Sequence, residues 1–226
     1  MAKVAVIIPC YNEEITIKSV LDDAFKVLPD ADIYVYDNNS TDKTVEIASK
    51  SGAIIKYCKE QGKGNVLKQA FKEIEADVYI TIDGDNTYNF EKTPEMIEKV
   101  LAGADMVIGD RLTSSYYQNN NMRFHNFGNR LVKFLVNHLY HNKFSDIMTG
   151  LRALSRNFVK SINILSKGFQ IETEMSIYAC KHKLRVESVE IDYQDRPEGS
   201  YTKTKAIRDG MKIVWMIIRL KFKRKY

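Results

Sequence analysis

Asp83 and Asp85 stand one residue apart, directly after the apolar run Val78–Ile82. Carboxylates in that position can converge on a hard divalent cation, Mg²⁺ or Mn²⁺, which takes oxygen ligands and bridges phosphates. Such a cation neutralises the charge that builds on a departing diphosphate. Acidic turns are common, so the D-x-D pattern gains its weight from following a strand. A second element, Gln61-Gly62-Lys63-Gly64-Asn65, opens a helical stretch. Glycines let a backbone approach a ligand closely, and a helix start with a lysine favours phosphate. The P-loop pattern is absent, and a plain glycine turn before a helix accounts for this element equally well.

Three further polar turns follow apolar runs: Pro9-Cys10-Tyr11-Asn12-Glu13-Glu14, Asp37-Asn38-Asn39-Ser40-Thr41-Asp42 and Gly109-Asp110-Arg111. Turns are polar anyway, and Asp, Asn and Ser cap helices. Four such turns at one edge of a parallel sheet, however, coincide with the edge where open α/β sheets bind ligands.

The elements that must hold these turns are legible as alternating patterns. Val4–Ile8, Ile33–Tyr36, Ile54–Tyr57, Val78–Ile82 and Met106–Ile108 read as strands. Glu14–Val27, Asp42–Lys50, Gly64–Glu75 and Pro94–Leu101 have helical spacing, the last with Thr93 as its cap. The alternation predicts an α/β fold with a mostly parallel sheet covered on both faces. The second half is less regular. Tyr116–Asn121 reads as a loop, Asn126–Tyr140 as an amphipathic helix, Ser155–Leu165 and Ile171–Cys180 as helices, and Val186–Tyr193 as a strand. There is no internal repeat or low-complexity linker, and 226 residues suit one domain.

Composition narrows the function. Hydrophobic residues make up 44% and charged residues 28%, which is globular rather than disordered. A net charge of +5 fits an anionic ligand but is not the footprint of a nucleic-acid binder. Cys10, Cys58 and Cys180 lack C-x-x-C spacing and read as thiols in a reducing compartment. The start runs straight into a strand and a charged turn, so no signal peptide is expected, and no apolar run approaches the ~20 residues that span a bilayer. His138 and His141 are three apart, but no carboxylate partner is evident. Asp146, before Thr149-Gly150-Leu151-Arg152, orients an acceptor, orients Arg152 or caps a turn.

After Asp209 the chain carries no acidic residue. Met211, Val214, Trp215, Ile218 and Phe222 share one helical side, and Arg208, Lys212, Arg219 and Lys223 another. Such a helix can lie in a bilayer interface, where each basic group near anionic lipid adds ~1 kcal/mol. Ile213, Met216 and Ile217 broaden the apolar face, so a helix packed on the domain fits as well.

Together, VAVIIPCYNEE, DNNSTDKT, QGKGN, TIDGDNTY, VIGDR, DIMTGLRALSR, GFQIETEMSIYA and YQDRPEGSYTKTKAIRDG resemble glycosyltransferase family 2, in its dolichyl-phosphate mannose synthase-like branch. The motifs span almost the whole chain in the expected order. The resemblance implies a single GT-A domain over 1–226, a Rossmann-like sheet with flanking helices and an amphipathic C-terminal helix. Within it, 1–112 would bind the nucleotide-sugar, 113–202 the acceptor, and 203–226 would form a basic, membrane-associated tail. Carried over by motif, Pro9, Tyr11, Glu13 and Asp37 line the nucleoside pocket and Lys63 sits near the base or ribose. Asp83 and Asp85 are the metal and diphosphate pair. Arg111 lies at the phosphates and Arg123 helps hold the acceptor phosphate, so Asp85, Arg111 and Arg123 are the expected catalytic set. Arg196, Ser200 and Lys203 match the element that closes over the donor. Two features depart from the family: Thr87 replaces a glutamine often found near the metal, and the transmembrane helices of many relatives are not present.

The implied reaction is an inverting transfer of a sugar from UDP-glucose, UDP-N-acetylglucosamine or GDP-mannose to a polyprenyl phosphate, at the cytoplasmic face of a membrane. A phosphate acceptor is already ionised and needs positioning rather than a base, a task suited to arginine. A sugar-hydroxyl acceptor would need a base, with Glu172 and Glu174 as candidates, although acidic residues in a first helical turn also serve the helix dipole. A polysaccharide transferase and a non-catalytic nucleotide-sugar-binding subunit therefore stay as alternatives, and nucleic acid is not an expected partner.

Overall fold

Along Val4–Cys10 (β1) the side chains alternate between two cores: Ala5 and Ile7 join one, Val6 and Ile8 the other. A strand buried on both faces belongs in the middle of a covered sheet. The computed structural model describes residues 2–112, 123–203 and 206–223, with the backbone alone for 123–127 and 206. Among these, β1 is flanked by parallel partners, Asp32–Asp37 (β2) and Val78–Thr81 (β4), and Ile54–Tyr57 (β3) extends the sheet beyond β2. On the other side come Met106–Asp110 (β5), Arg152–Ser155 (β6) and Val186–Glu190 (β7). The strand order is β3-β2-β1-β4-β6-β5-β7. Only β6 runs antiparallel to its neighbours, β4 and β5.

Helices cover both faces. Ile17–Val27 (α1), Thr44–Lys50 (α2) and Thr93–Leu101 (α4) pack on one side. Lys63–Glu73 (α3), Arg123–Tyr140 (α5), Arg156–Ser161 (α6), Ile171–Lys181 (α7) and Ala206–Phe222 (α8) pack on the other. The buried set of α1, Ile17, Val20, Leu21 and Ala24, follows the amphipathic period.

The expected strands of the first half are all present, Ile54–Tyr57 with the expected bounds and the other four with shifted ends. The expected helix Ser155–Leu165 is corrected. Ser155 ends β6 and accepts the Phe158 amide with its hydroxyl, so it caps a short α6, and Ile162 is already extended. The strand Val186–Tyr193 stops at Glu190, and Tyr193 makes only an isolated bridge to Tyr88. Thr93 does not cap α4: it lies inside the helix and its hydroxyl donates to the Phe90 carbonyl. The loop expected at Tyr116–Asn121 falls outside the described residues.

The C-terminal helix packs on the domain through one of its apolar stripes. Ile213, Met216, Ile217 and Leu220 are buried against α5 and α7. Tyr140 Oη donates to the Ile217 carbonyl at 2.7 Å, and Lys181 Nζ donates to the carbonyls of Leu220 and Lys223 at the helix end. A second apolar stripe, Ile207, Met211, Trp215, Ile218 and Phe222, faces outward. Among the described residues no helix is long and apolar enough to cross a membrane. Ile217→Ala should therefore cost about 2–5 kcal/mol of stability, while Ile218→Ala one position on stays within about 0.5 kcal/mol. Urea denaturation of the two variants tests this, and equal midpoints would contradict the packing.

Candidate active site

Strand register brings the polar turns together. Cys10 pairs with Asp37, Ile7 with Thr81, and Arg152 of β6 lies between Thr81 and Ile108. The turns after β1, β2, β4 and β5 therefore share one sheet edge. A cavity of about 870 Å³ opens there, lined by Pro9, Tyr11, Glu13, Lys63, Asp83, Asp85, Arg111, Glu172, Arg196 and Lys203.

Four carboxylates of this wall, Glu13, Asp83, Asp85 and Glu172, meet cations. Lys63, at the start of α3, forms ion pairs with both Asp83 and Glu172, the latter at 2.5 Å. Arg196 Nη2 donates to Asp85 Oδ2 at 2.6 Å, and Lys203 Nζ pairs with Glu13 at 2.6 Å. Burial alone would lower the Lys63 pKa, but Asp83 and Glu172 more than offset it and hold the ammonium above its ordinary value. Burial, and then the neighbouring Asp83 charge, raise Asp85, against the pull of Arg196. Burial likewise raises Glu13 against Lys203.

Asp83 and Asp85 fit a hard divalent cation. Both offer oxygen, and both already hold cationic groups. Thr87 fixes Asp85 through its hydroxyl at 2.6 Å and its amide at 3.1 Å, both to Oδ1. Asp83 Oδ2 lies against Gly150, where a Cβ would sit 2.2 Å away. Among the described residues no three His, Cys, Asp or Glu groups form a metal cluster, so ligand oxygens and water would complete the shell.

The glycines of Gln61-Gly62-Lys63-Gly64-Asn65 serve a different approach from the one expected. A Cβ on Gly64 would lie 2.3 Å from the Ser166 carbonyl oxygen, and one on Gly62 2.1 Å from that of Lys167. The close neighbour is the chain's own 166–168 backbone, which seats α3 against the second half. Lys63 enters the pocket between carboxylates.

Other expected residues separate. Asp37 is buried behind the wall, where its carboxylate accepts the Ser40 amide. Ser200 accepts from Arg196 at 3.2 Å and so supports the segment over the pocket. Lys203 ties that segment to the Asn12 carbonyl at 2.9 Å. Glu172 is in the wall, whereas Glu174 accepts the Leu165 and Ser166 amides, one on each oxygen, and does not line the pocket. The side chain of Arg123 lies outside those described.

Arg111 is held by Asp146 and by two tyrosines that the motifs alone did not single out. Its Nε donates to Asp146 Oδ2 at 2.8 Å and its Nη2 to Oδ1 at 3.1 Å, while Nη1 donates to Tyr88 Oη at 3.3 Å. The Tyr88 hydroxyl also accepts the Gly150 amide, and the Tyr193 ring lies 5.2 Å from the guanidinium. Burial would lower Arg111, but Asp146 holds it well above its ordinary value. Asp146 thus orients Arg111 rather than Arg152, and it also accepts the Met148 amide. Arg152 is fully buried and donates to the carbonyls of Ile147 and Thr149 and to Ser176 Oγ. Burial lowers its pKa to about 10. Asn38 is a second structural group missed in the sequence: it donates to the carbonyls of Cys58 and Glu60 and accepts the Gly62 amide at 2.6 Å, locking the turn after β2 to the segment before α3.

Removing one member of the buried Arg111–Asp146 pair leaves the other charge without it. Asp146→Ala should therefore cost about 3–5 kcal/mol, and the double change Arg111→Met/Asp146→Leu should recover most of that loss. Chemical denaturation of the single and double variants tests this, and additive losses would contradict the coupling.

A model of "Glycosyl transferase family 2" matches residues 5–162. The chain is similar to glycosyltransferase AglJ of Haloferax volcanii, at 34% identity over 208 residues, covering 92% of this chain and 68% of that protein. It is similar to the dolichyl-phosphate hexose transferase of the same organism, at 31% identity, covering 85% of this chain and 83% of that protein. It also resembles the dolichol-phosphate mannosyltransferase of Pyrococcus furiosus, at 30% identity over 77% of this chain and 52% of that protein. Among solved structures, glucosyl-3-phosphoglycerate synthase from Mycobacterium tuberculosis, in complex with Mn²⁺, UDP and phosphoglyceric acid, shares the fold with a TM-score of 0.81 at 19% identity, covering 98% of this chain and 79% of that one. The family match over residues 5–162 and these relatives agree with motifs that run the length of the chain, which belongs to glycosyl transferase family 2, in its dolichyl-phosphate mannose synthase-like branch, and is a glycosyltransferase of the GT-A fold.

Proposed function

We propose that the chain transfers a sugar, with inversion, from a nucleotide-sugar to a polyprenyl phosphate. The observation that carries this reading is that one pocket is lined both by an acidic face, the Asp83/Asp85 pair, and by a cationic one, Arg111 braced by Asp146 and Tyr88. The first face suits a diphosphate with its divalent cation, and the second suits an anion brought to it. The donor is UDP-glucose, UDP-N-acetylglucosamine or GDP-mannose, with Pro9, Tyr11, Glu13 and Lys63 on the donor side and Asp37 shaping the turn behind them. Mg²⁺ or Mn²⁺ on Asp83 and Asp85 would neutralise the diphosphate as it leaves. Arg196, Ser200 and Lys203 close over the donor, so Arg196 has to exchange Asp85 for the bound ligand. Arg111 and Arg123 receive the acceptor phosphate, which attacks the sugar carbon in line with the leaving group and needs no base.

A second groove, of about 630 Å³, supports the lipid acceptor. It shares Gln61, Gly62, Phe169 and Lys203 with the pocket, and runs between cationic Lys167, Lys212 and Arg219 and apolar Leu165, Trp215 and Leu220. The outward stripe of α8, with Arg219 over the Trp215 ring at 5.0 Å, suits a membrane surface. We place residues 1–112 as the donor half, 113–202 as the acceptor half and 203–226 as the membrane-associated tail of one domain working at the cytoplasmic face. A specific observation favours a second reading: Glu172 lines the pocket, where it would be the base for a sugar-hydroxyl acceptor.

Incubation with each of the three donors, a short polyprenyl phosphate and Mn²⁺ tests the proposal. One donor should give a glycosyl phospholipid of inverted configuration, and Arg111→Lys, which lacks the planar fork, should lower kcat/KM by about 10²-fold or more. Transfer to oligosaccharides but not to the lipid phosphate would favour the second reading.

A further inference from the structure

If the acceptor is a phosphate, Glu172 has no proton to remove, yet it stands in the wall of a pocket meant for two anions. A carboxylate so placed repels the diphosphate and the incoming phosphate alike. It is nonetheless buried, on the first turn of α7, and carried by Lys63 at 2.5 Å. The same ammonium grips Asp83 on its other side, so Asp83, Lys63 and Glu172 form one continuous chain of charges. That chain runs from the carboxylate that meets the diphosphate into the half of the pocket supplied by α7 and by Met148. The hexose of a nucleotide-sugar hangs from the far phosphate, so its hydroxyls come close to the groups that stand beside the carboxylate that meets the diphosphate.

Hydroxyl groups are the ligand chemistry that suits a buried carboxylate beside a buried ammonium. The carboxylate accepts from a hydroxyl and the ammonium donates to its neighbour, so a vicinal diol finds both functions side by side. Phosphate would use the lysine and be repelled by the glutamate. Glu174, two residues on, shows the contrast: its oxygens are taken by the Leu165 and Ser166 amides and it serves only the fold.

We propose that Glu172, held by Lys63, is the residue that reads the hydroxyls of the transferred sugar. This rests on the nucleotide-sugar reading above. Glu172 is then a specificity-determining residue for the donor and takes no proton in the transfer.

Calorimetric titration of wild type and Glu172→Gln tests it, with Mn²⁺ present throughout. The ligands are UDP-glucose, UDP-N-acetylglucosamine and GDP-mannose, each beside its free nucleoside diphosphate. For the donor that binds wild type, the variant should lose about tenfold to a hundredfold in affinity, the span of a hydrogen bond to a charged group. Affinity for UDP or GDP should stay within about twofold, because neither carries a sugar. Glu172→Asp, which keeps the charge and draws it back by one methylene, should show the same split and serves if the glutamine variant does not fold. Equal weakening of both ligands, or of neither, overturns the assignment. So does loss of kcat with unchanged donor affinity, which marks a base. If wild type binds none of the nucleotide-sugars, the transfer reading falls with it, whereas wild-type binding without the split sinks the hydroxyl assignment alone.

Discussion

The structure depends on a set of buried charges that have to be neutralised at one sheet edge. Glu13, Asp83, Asp85 and Glu172 crowd the pocket, and each is met by Lys63, Arg196 or Lys203. An unpaired buried carboxylate costs several kcal/mol, so these pairings decide where the surrounding segments rest. The segment from Arg196 to Lys203 lies over the pocket because its cations are pinned to Asp85 and Glu13. Exchange of Arg196 for a divalent cation would keep Asp85 neutralised, so ligand entry would trade one pairing for another rather than strip a charge bare.

The antiparallel strand β6 makes the second half possible. Inserted between β4 and β5, it sets Gly150 against Asp83 and brings the 146–150 turn beside Arg111. Arg152 steadies that turn from below, bonding the Ile147 and Thr149 carbonyls from a fully buried position. A cation there, with hydrogen bonds to neutral groups, is costly, and its depressed pKa reflects that cost. In return, Asp146 is fixed where it can aim Arg111.

Much of this was legible in the residues alone. The five strands of the first half announce themselves by short Val- and Ile-rich runs, and the polar turns that follow them do meet at one edge. The second half was harder because its signals compete. Arg152–Ser155 offers only Ala153 and Leu154 as apolar residues, too short a run to announce a strand, and its place between β4 and β5 shows only in the sheet. The two glycines beside Lys63 look like a phosphate cradle in sequence, but the close neighbour is the backbone at 166–168, which no local pattern could reveal. Tyr88 and Tyr193 were missed for the same reason: a tyrosine five residues past Asp83 carries no distinctive spacing, and its role arises from contacts with Gly150 and Arg111. The tail carries two apolar stripes in sequence, and only the fold shows which packs inward and which is turned out.

The most direct test of the central claim, that Asp83 and Asp85 seat a cation and the diphosphate of a nucleotide-sugar, is a calorimetric comparison of wild type with Asp85→Asn. Nucleotide-sugar would be titrated into each with Mn²⁺ and with a chelator. The account predicts tight binding to wild type only when Mn²⁺ is present, and at least tenfold weaker binding to the variant. Mn²⁺-independent binding of equal strength in both proteins would contradict it.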